Sequence, residues 1–414
     1  MNKLLKSAFL VAVAMVCANA NAAKESGLKD AYKKYFKIGV ALNPRNITND
    51  EQIAIVLKDF NSVTAENCMK PGELHPAPGV WNLAQADALA DFCRKNGIKM
   101  RYHTLVWHSQ FANWMFNKYD ENGNQVVQRD EKGDTVWQER RQFGGFGGFG
   151  GRRGQQPQAA NAAPVMEPVY VKATKEEFYD SLRAHIHFVL NRYKDIIYAV
   201  DVCNECMSDA NDPDCAYEKS FRQSQAYQLC GDEFILKAFQ FAAEVVDPKE
   251  VILMYNDYSA WTPAKRTYIY NMVKTLQEKG APITGIGMQG HYNIYDNPTI
   301  EDFEKAIEMY SELVDNIHIT ELDVRVNHEA GGQLQFNRDG TEITPEIEKQ
   351  FNDKYVALFE AMRRHKDVIK CVTFWNLGDR DSWLGQNNYP LPYDKDYKAK
   401  EVYYLIKDFK AKKK

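Results

Sequence analysis

Two glutamates stand directly after hydrophobic segments, where they could carry acid–base or nucleophilic chemistry. Glu205 follows the run Val-Asp-Val-Cys-Asn, and Glu321 follows Ile-His-Ile-Thr. Two facing carboxyl groups suit hydrolysis of a glycosidic bond, because one can protonate the leaving oxygen while the other attacks the anomeric carbon. A single glutamate is more often a salt-bridged surface residue. For this pair that interpretation is disfavoured, because polar residues also follow the other hydrophobic segments of the chain.

Polar and aromatic residues also end the other hydrophobic segments of the chain. They are Glu66, Asn67 and Lys70, His103, Trp107 and His108, Asn204, Asn256, Asp257 and Tyr258, Gln289 and His291, Asp323, and Trp375 followed by Trp383. So many chemistry-bearing residues at equivalent positions predict one shared site, provided that the fold brings the segment ends together.

A metal site is the main alternative, because His103, His108, His291 and several carboxylates belong to this set. No His-Glu-x-x-His motif occurs, and the Cys203/Cys206 pair has no second Cys-x-x-Cys partner. Neither a P-loop nor a Gly-x-Gly-x-x-Gly turn follows a predicted strand. We therefore expect no metal and no cofactor.

The elements that must position these residues form a repeating pattern. Eight short apolar segments recur along the chain, at 37–42, 62–66, 99–107, 197–204, 251–256, 285–290, 317–324 and 369–375. Most are continuous apolar runs, which is typical of parallel strands buried on both faces.

Helix-length amphipathic stretches separate these segments and carry explicit start signals. Residues 48–51 and 174–177 read as capping boxes, and Thr262 and Thr344 each precede a proline. The last helix is expected near 399–411. Strand and helix repeated eight times predict an α/β fold of the (β/α)8 (TIM) barrel type, a single domain over 23–414 whose site lies at the carboxyl ends of the strands.

One segment, 117–173, breaks the pattern after the third predicted strand and contains the Gly-rich run 143–154. We predict a flexible surface insertion, because so much glycine disfavours a packed core. The alternative is a mobile lip whose phenylalanines (Phe143, Phe146 and Phe149) or arginines contact a substrate.

The first 22 residues have a basic start, an apolar run of about eleven residues and small-x-small cleavage sites, as in a signal peptide. We therefore expect a secreted or periplasmic protein with no membrane anchor, since the run is too short to span a bilayer. Removal of Cys17 leaves seven cysteines, of which Cys215 and Cys230 could close a loop.

The 414 residues carry a net charge of −4, with 12% aromatic residues. No basic surface is available for nucleic acid, so we expect none as a partner. The aromatic content suits flat faces presented to a ligand.

Seven segments together resemble glycoside hydrolase family 10 endo-β-1,4-xylanases, in the order typical of that family. They are residues 64–71, 101–108, 201–205, 256–258, 285–291, 319–323 and 373–384. The resemblance spans nearly the whole chain outside 117–173. It implies xylan and xylo-oligosaccharides as substrates, and we expect a monomer.

The resemblance implies a role for each matching residue. Glu205 would be the acid/base and Glu321 the nucleophile of a retaining mechanism, with Asn204 on the sugar 2-hydroxyl and His291 on the nucleophile. The residues that would bind sugar are Glu66, Asn67 and Lys70 on the glycone side, His103, Trp107, Gln289, Trp375 and Trp383 around the centre, and Tyr258 on the aglycone side. The two carboxyl groups should then lie ~5–5.5 Å apart.

Two departures from the family pattern stand out, Val200 in place of a tryptophan and Asn376 in place of a glycine. We attribute the raised pKa that the acid role of Glu205 requires to the nearby charge of Glu321. The alternatives are a retaining β-1,4-glucanase on the same barrel and an inactive xylan-binding protein.

Overall fold

A computed structural model describes residues 26–139, 166–295, 298–327, 342–385 and 388–410. Within these ranges, eight strands form one parallel barrel: β1 (Lys37–Leu42), β2 (Ser62–Ala65), β3 (Lys99–Trp107), β6 (Ile197–Asn204), β7 (Ile252–Asp257), β8 (Gly285–Met288), β10 (Asn316–Arg325) and β11 (Ile369–Phe374). A short strand, β9 (His291–Asn293), extends β8 beside the end of β10. The eight predicted segments all coincide with barrel strands.

The barrel closes because β1 pairs in parallel with both β2 and β11, and β11 also pairs with β10. Gly39 of β1 pairs with Ser62 on one side and with Thr373 on the other. Nearly every strand residue is buried, since side chains fill the barrel on one face and pack against helices on the other. The (β/α)8 prediction is therefore confirmed.

Helices connect the strands on the outside of the barrel. They are α1 (Leu28–Ala31), α2 (Asp50–Asp59), α3 (Pro71–Leu74), α4 (Ala84–Asn96), α5 (Lys175–Tyr193), α6 (Gln225–Cys230), α7 (Glu233–Ala243), α8 (Pro263–Glu278), α9 (Ile300–Ser311), α10 (Pro345–Arg364) and α11 (Glu401–Lys407).

The predicted helix starts follow from side chains that cap free backbone N–H groups. Thr174, Thr262 and Thr344 each accept a hydrogen bond from a backbone N–H in the first turn of α5, α8 and α10. The capping residue of α2 is Asn49, whereas the sequence pattern pointed to Thr48. The Thr48 hydroxyl instead donates to the carbonyl of Arg45, within the preceding turn.

The insertion after β3 is ordered where the structure describes it. Two more strands, β4 (Trp137–Glu139) and β5 (Met166–Pro168), pair antiparallel, and further bridges join Asn117 to Lys172 and Val127 to Tyr170. Residues 117–139 and 166–173 therefore have a regular base that the sequence did not reveal, because strands of three residues are too short to show a period. The Gly-rich run 143–154 lies outside the described residues, and its flexibility stays a prediction.

Replacing residues 141–164 with a short Gly-Ser turn is expected to leave the barrel intact. Glu139 pairs directly with Met166, so the two ends of the replaced segment are already close together. Shortening such a loop changes the free energy of unfolding by less than about 2 kcal/mol, because loop-closure entropy varies slowly with length. Thermal unfolding and activity on short xylo-oligosaccharides provide the check. A large loss confined to polymeric or glucuronic-acid-substituted xylan would instead assign the loop to the substrate site.

All seven cysteines from Cys68 to Cys371 are free thiols, so Cys215 and Cys230 do not close a loop in this structure. Six of them are buried, including Cys230, and Cys215 is partly buried. No helix within the described ranges is long and apolar enough to cross a membrane. The predicted signal peptide, 1–22, lies outside those ranges.

Candidate active site

The residues singled out in the sequence converge at the carboxyl ends of the barrel strands. Glu205 directly follows β6, and Glu321 lies within β10. The pairing of β6 shifts register against both β3 and β7 near this end. Such β-bulges change the direction in which side chains point, often next to active sites. Here Asn204 lies opposite Trp107 of β3 and Asn256 of β7.

The Glu205 carboxylate accepts hydrogen bonds on both oxygens. Trp107 Nε1 donates to Oε2 at 2.8 Å, and Gln289 Nε2 donates to Oε1 at 2.9 Å. Asn204 Nδ2 adds a longer contact to Oε1 at 3.3 Å. Three predicted site residues therefore orient one carboxyl group.

The Glu321 carboxylate is buried and held from two sides. Asn256 Nδ2 lies 2.9 Å from Oε1, and His291 Nε2 lies 3.3 Å from Oε2. Because Asn256 Nδ2 is also 2.8 Å from Asn204 Oδ1, the two carboxylates belong to one hydrogen-bond network. The contact that the resemblance implies between His291 and Glu321 is present.

The surroundings shift the pKa values of the two glutamates in opposite directions. Burial raises the pKa of Glu205, and the charge of Asp257 raises it further. Burial would also raise the pKa of Glu321, but the hydrogen bond from His291 and the electrostatic effects of His103, His291 and Arg101 outweigh it and lower this pKa to about 2. At neutral pH the arrangement therefore favours an acid at Glu205 and an ionised carboxylate at Glu321.

The cause of the raised pKa differs from the one expected. The sequence interpretation assigned it to the charge of Glu321, but burial and then Asp257 contribute more to the pKa of Glu205, and Glu321 contributes less. The physical reason is that burial removes water from the carboxylate and so disfavours its charged form directly.

Asp323 keeps His291 in the charged form that Glu321 requires. Its Oδ2 accepts from His291 Nδ1 at 2.9 Å and from Trp383 Nε1 at 2.8 Å. Although burial lowers the pKa of His291, the Asp323 and Glu321 carboxylates outweigh it and raise this pKa to about 10. Trp383 packs edge-on against the same imidazole, with ring centroids 4.9 Å apart.

The three glycone-side residues lie together after β2. Lys70 Nζ donates to Asn67 Oδ1 at 2.9 Å and stands 4.7 Å from the Trp107 ring centroid. Burial lowers the pKa of Lys70, while the charges of Glu321, Glu66 and Glu205 oppose that shift. The ammonium group therefore lies between Asn67 and the ring of Trp107, whose Nε1 donates to Glu205.

His103 and Trp375 pack against each other beneath the cleft, with ring centroids 5.4 Å apart. His103 Nδ1 lies 2.8 Å from Asp201 Oδ2, and Asp201 also pairs with Arg101 inside the barrel. Arg101 Nη2 in turn donates to the backbone carbonyl of Thr320 at 2.7 Å. A buried polar layer thus supports the strand that carries Glu321.

Four residues to which the sequence assigned no individual role belong to this site: Asp201, Asn256, Asp257 and Asp323. All four stand inside the motifs that carry the family resemblance, and Asn256 and Asp257 are the last two residues of β7. The position at the end of an apolar segment already singled out Asn256, Asp257 and Asp323 in the sequence. Nothing in the sequence indicated that Asn256 donates to both Asn204 and Glu321.

Asn376 follows β11 with a backbone φ of +97°. Glycine adopts this left-handed region without strain, which explains why the family pattern has glycine at this position. Asparagine is among the residues that tolerate it best. Val200 is fully buried between Tyr102 and Leu253 of the neighbouring strands, so this departure affects packing behind the site.

Replacing Asp257 with asparagine is expected to move the alkaline limb of the pH profile of kcat/KM to lower pH. Glu205 must be protonated to act as an acid, and the negative charge of Asp257 disfavours its ionisation. Without that charge the pKa of Glu205 falls.

The pH profile should be measured on an unactivated substrate, which needs protonation of the leaving group. Asp353→Asn, on the outer face of α10 and paired with Lys349, is the control and should leave the limb in place. An unshifted limb in Asp257→Asn would contradict the electrostatic role of this residue.

Among the residues that the structure describes, no three His, Cys, Asp or Glu side chains are grouped to hold a metal ion. His291 is instead engaged by Asp323 and Glu321, and His103 by Asp201. Both imidazoles therefore have roles that involve the carboxylates of the site.

Comparison with known proteins identifies similar sequences and structures. The model of glycosyl hydrolase family 10 matches residues 27–132 and 163–409. The chain is 51% identical over 392 residues to an endo-1,4-beta-xylanase/feruloyl esterase of Xylanibacter ruminicola, covering 93% of the chain and 47% of that protein. It is 34% identical to endo-1,4-beta-xylanase A of Caldicellulosiruptor saccharolyticus, covering 95% of the chain and 99% of that protein.

A solved structure of a psychrophilic family 10 endo-beta-1,4-xylanase is similar at a TM-score of 0.74 and 45% identity, covering 92% of this chain and 99% of the other. The chain spans about half the length of the Xylanibacter relative, so the similarity concerns one part of that longer protein. The family match is interrupted between residues 132 and 163, where the Gly-rich run lies.

Proposed function

Because the chain belongs to glycosyl hydrolase family 10, we propose that it is an endo-acting β-1,4-xylanase that hydrolyses xylan and xylo-oligosaccharides with retention at the anomeric carbon. The observation that carries the proposal is one hydrogen-bond network that joins two carboxylates, with Glu205 held by Trp107 and Gln289 and Glu321 held by Asn256 and His291. The opposite shifts of their pKa values, up at Glu205 and down at Glu321, agree with it. An acid and a nucleophile in one cleft are what a retaining glycosidase needs.

In the first step Glu321 attacks the anomeric carbon, and the bond to the leaving oxygen breaks as Glu205 transfers its proton to that oxygen. His291, charged and 3.3 Å from Glu321, keeps the attacking carboxylate ionised before the reaction. The products of this step are a glycosyl ester on Glu321 and a shortened chain with a free hydroxyl.

In the second step Glu205, now ionised, takes a proton from water, whose oxygen attacks the anomeric carbon and releases Glu321. Trp107 and Gln289 hold the Glu205 carboxyl group in place in both steps, because neither hydrogen bond depends on its proton. Two inversions at one carbon give net retention.

Trp375 and Trp383 favour xylan over cellulose as the substrate. Trp375 is nearly fully buried against His103, and Trp383 is held by its bond to Asp323, so both rings occupy fixed positions around the cleft. Rigid rings at this place would leave little room for the hydroxymethyl group that glucose carries and xylose lacks. The opposed pKa values likewise favour a catalyst over an inactive xylan-binding protein.

Product analysis on xylan, cellulose and mannan tests the substrate, and proton NMR of the earliest products tests the stereochemistry. We expect a ladder of short xylo-oligosaccharides from xylan alone, with the β-anomer formed first. An α-anomer as the first product would contradict the two-step mechanism, and release from cellulose at a similar rate would favour the glucanase.

The protein is further proposed to act as a secreted or periplasmic monomer. The basis is the signal-like segment 1–22, the absence of a later apolar run of membrane-spanning length in the sequence, and the net charge of −4. The exported protein is expected to begin near residue 23, and N-terminal sequencing after fractionation checks this. Light scattering measures the oligomeric state.

A further inference from the structure

The acid/base candidate, Glu205, has an unusual backbone conformation. Its φ is +57°, in the left-handed region that is strained for a residue with a Cβ atom. Such a conformation persists only when neighbouring groups hold it, and it is common at sites where a side chain must be aimed. The groups that hold Glu205 are therefore candidates for a role in catalysis.

Both backbone polar groups of Glu205 are hydrogen-bonded. Its N–H donates to the carbonyl of Asn256 at 2.9 Å, which ties it to the neighbouring strand β7. Its carbonyl accepts from Nε of Arg222 at 3.0 Å. The second contact comes from a side chain 17 residues further along, and the proposed mechanism gives that side chain no role.

Arg222 is itself held in a defined register. Its backbone N–H donates to the carbonyl of Cys206 at 2.8 Å, and Met207 and Phe221 form a bridge beside it. Residues 221–222 therefore run antiparallel to residues 206–207, which directly follow Glu205. This pairing places the guanidinium group beside the backbone carbonyl of Glu205. Glu205, Trp107 and Arg222 line one cavity of about 260 Å³.

The other end of the guanidinium group contacts Tyr258, the residue predicted to lie on the aglycone side. Arg222 Nη2 donates to the Tyr258 hydroxyl at 2.7 Å and to Asp209 Oδ2 at 3.1 Å. The Tyr258 hydroxyl donates to the same Asp209 carboxylate, and Lys265 Nζ donates to it at 2.9 Å. Charge-assisted bonds of this kind are stronger and more directional than neutral ones.

We propose that Arg222 is a positioning residue, which holds the strained backbone of Glu205 so that its carboxyl group points at the glycosidic oxygen. The inference rests on the proposed role of Glu205 as the acid. Through Tyr258, Arg222 also couples the position of this acid to the part of the cleft that receives the leaving sugar. It touches no reacting atom in this scheme and acts through the main chain of residue 205.

The proposal has a kinetic signature that a purely structural role lacks. A misplaced acid slows a reaction in proportion to how much the leaving group needs protonation. Substrates with poor leaving groups should therefore lose rate, while an activated aryl glycoside should not. A general loss of folding or binding would lower the rate for all leaving groups by one factor.

The test uses the full chain and a series of aryl β-xylobiosides whose phenols differ in pKa, with kcat/KM as the readout. Arg222→Met keeps most of the side-chain volume and removes every hydrogen bond. We expect its kcat/KM to fall ~30- to 100-fold for the poorest leaving group and to stay within ~3-fold of wild type for the best, given the cost of small misplacements. Arg222→Lys should show an intermediate dependence, and it also serves if the methionine variant fails to fold.

Arg266→Met is the matched control, because Arg266 likewise bonds a backbone carbonyl (Trp261) and a carboxylate (Asp302), without contact to Glu205. It should not change the dependence on the leaving group. A uniform fall, or no fall, across the series in both Arg222 variants would overturn the proposal. Glu205→Ala is measured in parallel: if it is insensitive to the leaving group, the assignment of Glu205 as the acid fails, and the inference falls with it.

Discussion

Replacing Glu321 with alanine is expected to abolish turnover on every substrate, including aryl glycosides with good leaving groups. The loss should be on the order of 10⁵-fold or more, the scale found when a covalent nucleophile is removed. The reason is structural: Glu321 is the buried carboxylate that His291 and Asn256 hold ionised, with a pKa of about 2. No neighbouring group replaces it, because Asp323 is engaged by His291 and Trp383.

Initial rates on xylan and on an activated aryl xylobioside measure this loss, with thermal unfolding as the check on folding. Glu304→Ala provides the control, since Glu304 lies on α9 and pairs with Arg364 on the outside of the barrel. It should retain wild-type rates. Appreciable turnover of the aryl substrate by Glu321→Ala would show that another group forms the covalent intermediate.

Replacing Glu205 with alanine is expected to have an effect that depends on the substrate. On xylan, kcat/KM should fall ~10²- to 10⁴-fold, the usual contribution of general acid–base catalysis. On an aryl xylobioside with a good leaving group, the first step needs little protonation and should proceed at a near-normal rate. The glycosyl ester on Glu321 then accumulates, because no base activates the water that must release it.

Azide should restore turnover of that substrate by Glu205→Ala. It is an anionic nucleophile that needs no base, so it attacks the anomeric carbon and displaces the Glu321 carboxylate, giving a β-glycosyl azide. Burst kinetics and detection of this product by NMR are the measurements. Azide should have no effect on Glu321→Ala, in which no ester forms. Identical behaviour of the two variants on aryl glycosides would contradict the division of roles.

Glu205→Ala and Glu321→Ala together test whether the surroundings of the two carboxyl groups give them different roles. The resemblance to family 10 implies these roles for Glu205 and Glu321, and the surroundings of each group support the same division. Glu205 is partly buried and near Asp257, whereas Glu321 is surrounded by His291, His103 and Arg101. The kinetic difference between the variants therefore tests the electrostatics of this cleft directly.

By itself, the amino-acid sequence determined the positions of the eight barrel strands and the polar residues at their carboxyl ends. The eight apolar runs match the eight barrel strands because parallel strands buried on both faces need continuous apolar residues. Since all eight run the same way, their carboxyl ends meet at one rim, and so Glu205, Glu321, Gln289 and His291 could be grouped without coordinates. Capping residues such as Thr174 marked the helix starts for an equally local reason.

Tertiary structure alone decided which of these residues touch and how their charges add. The bonds from Asn256 to Asn204 and to Glu321 depend on register shifts between strands, which leave no local pattern. The pKa of Glu205 depends on burial and on Asp257, a sum over neighbours that are distant along the chain. Arg222 reaches Glu205 only because a loop returns beside β6, and neither the spacing nor the type of residue 222 indicates that contact.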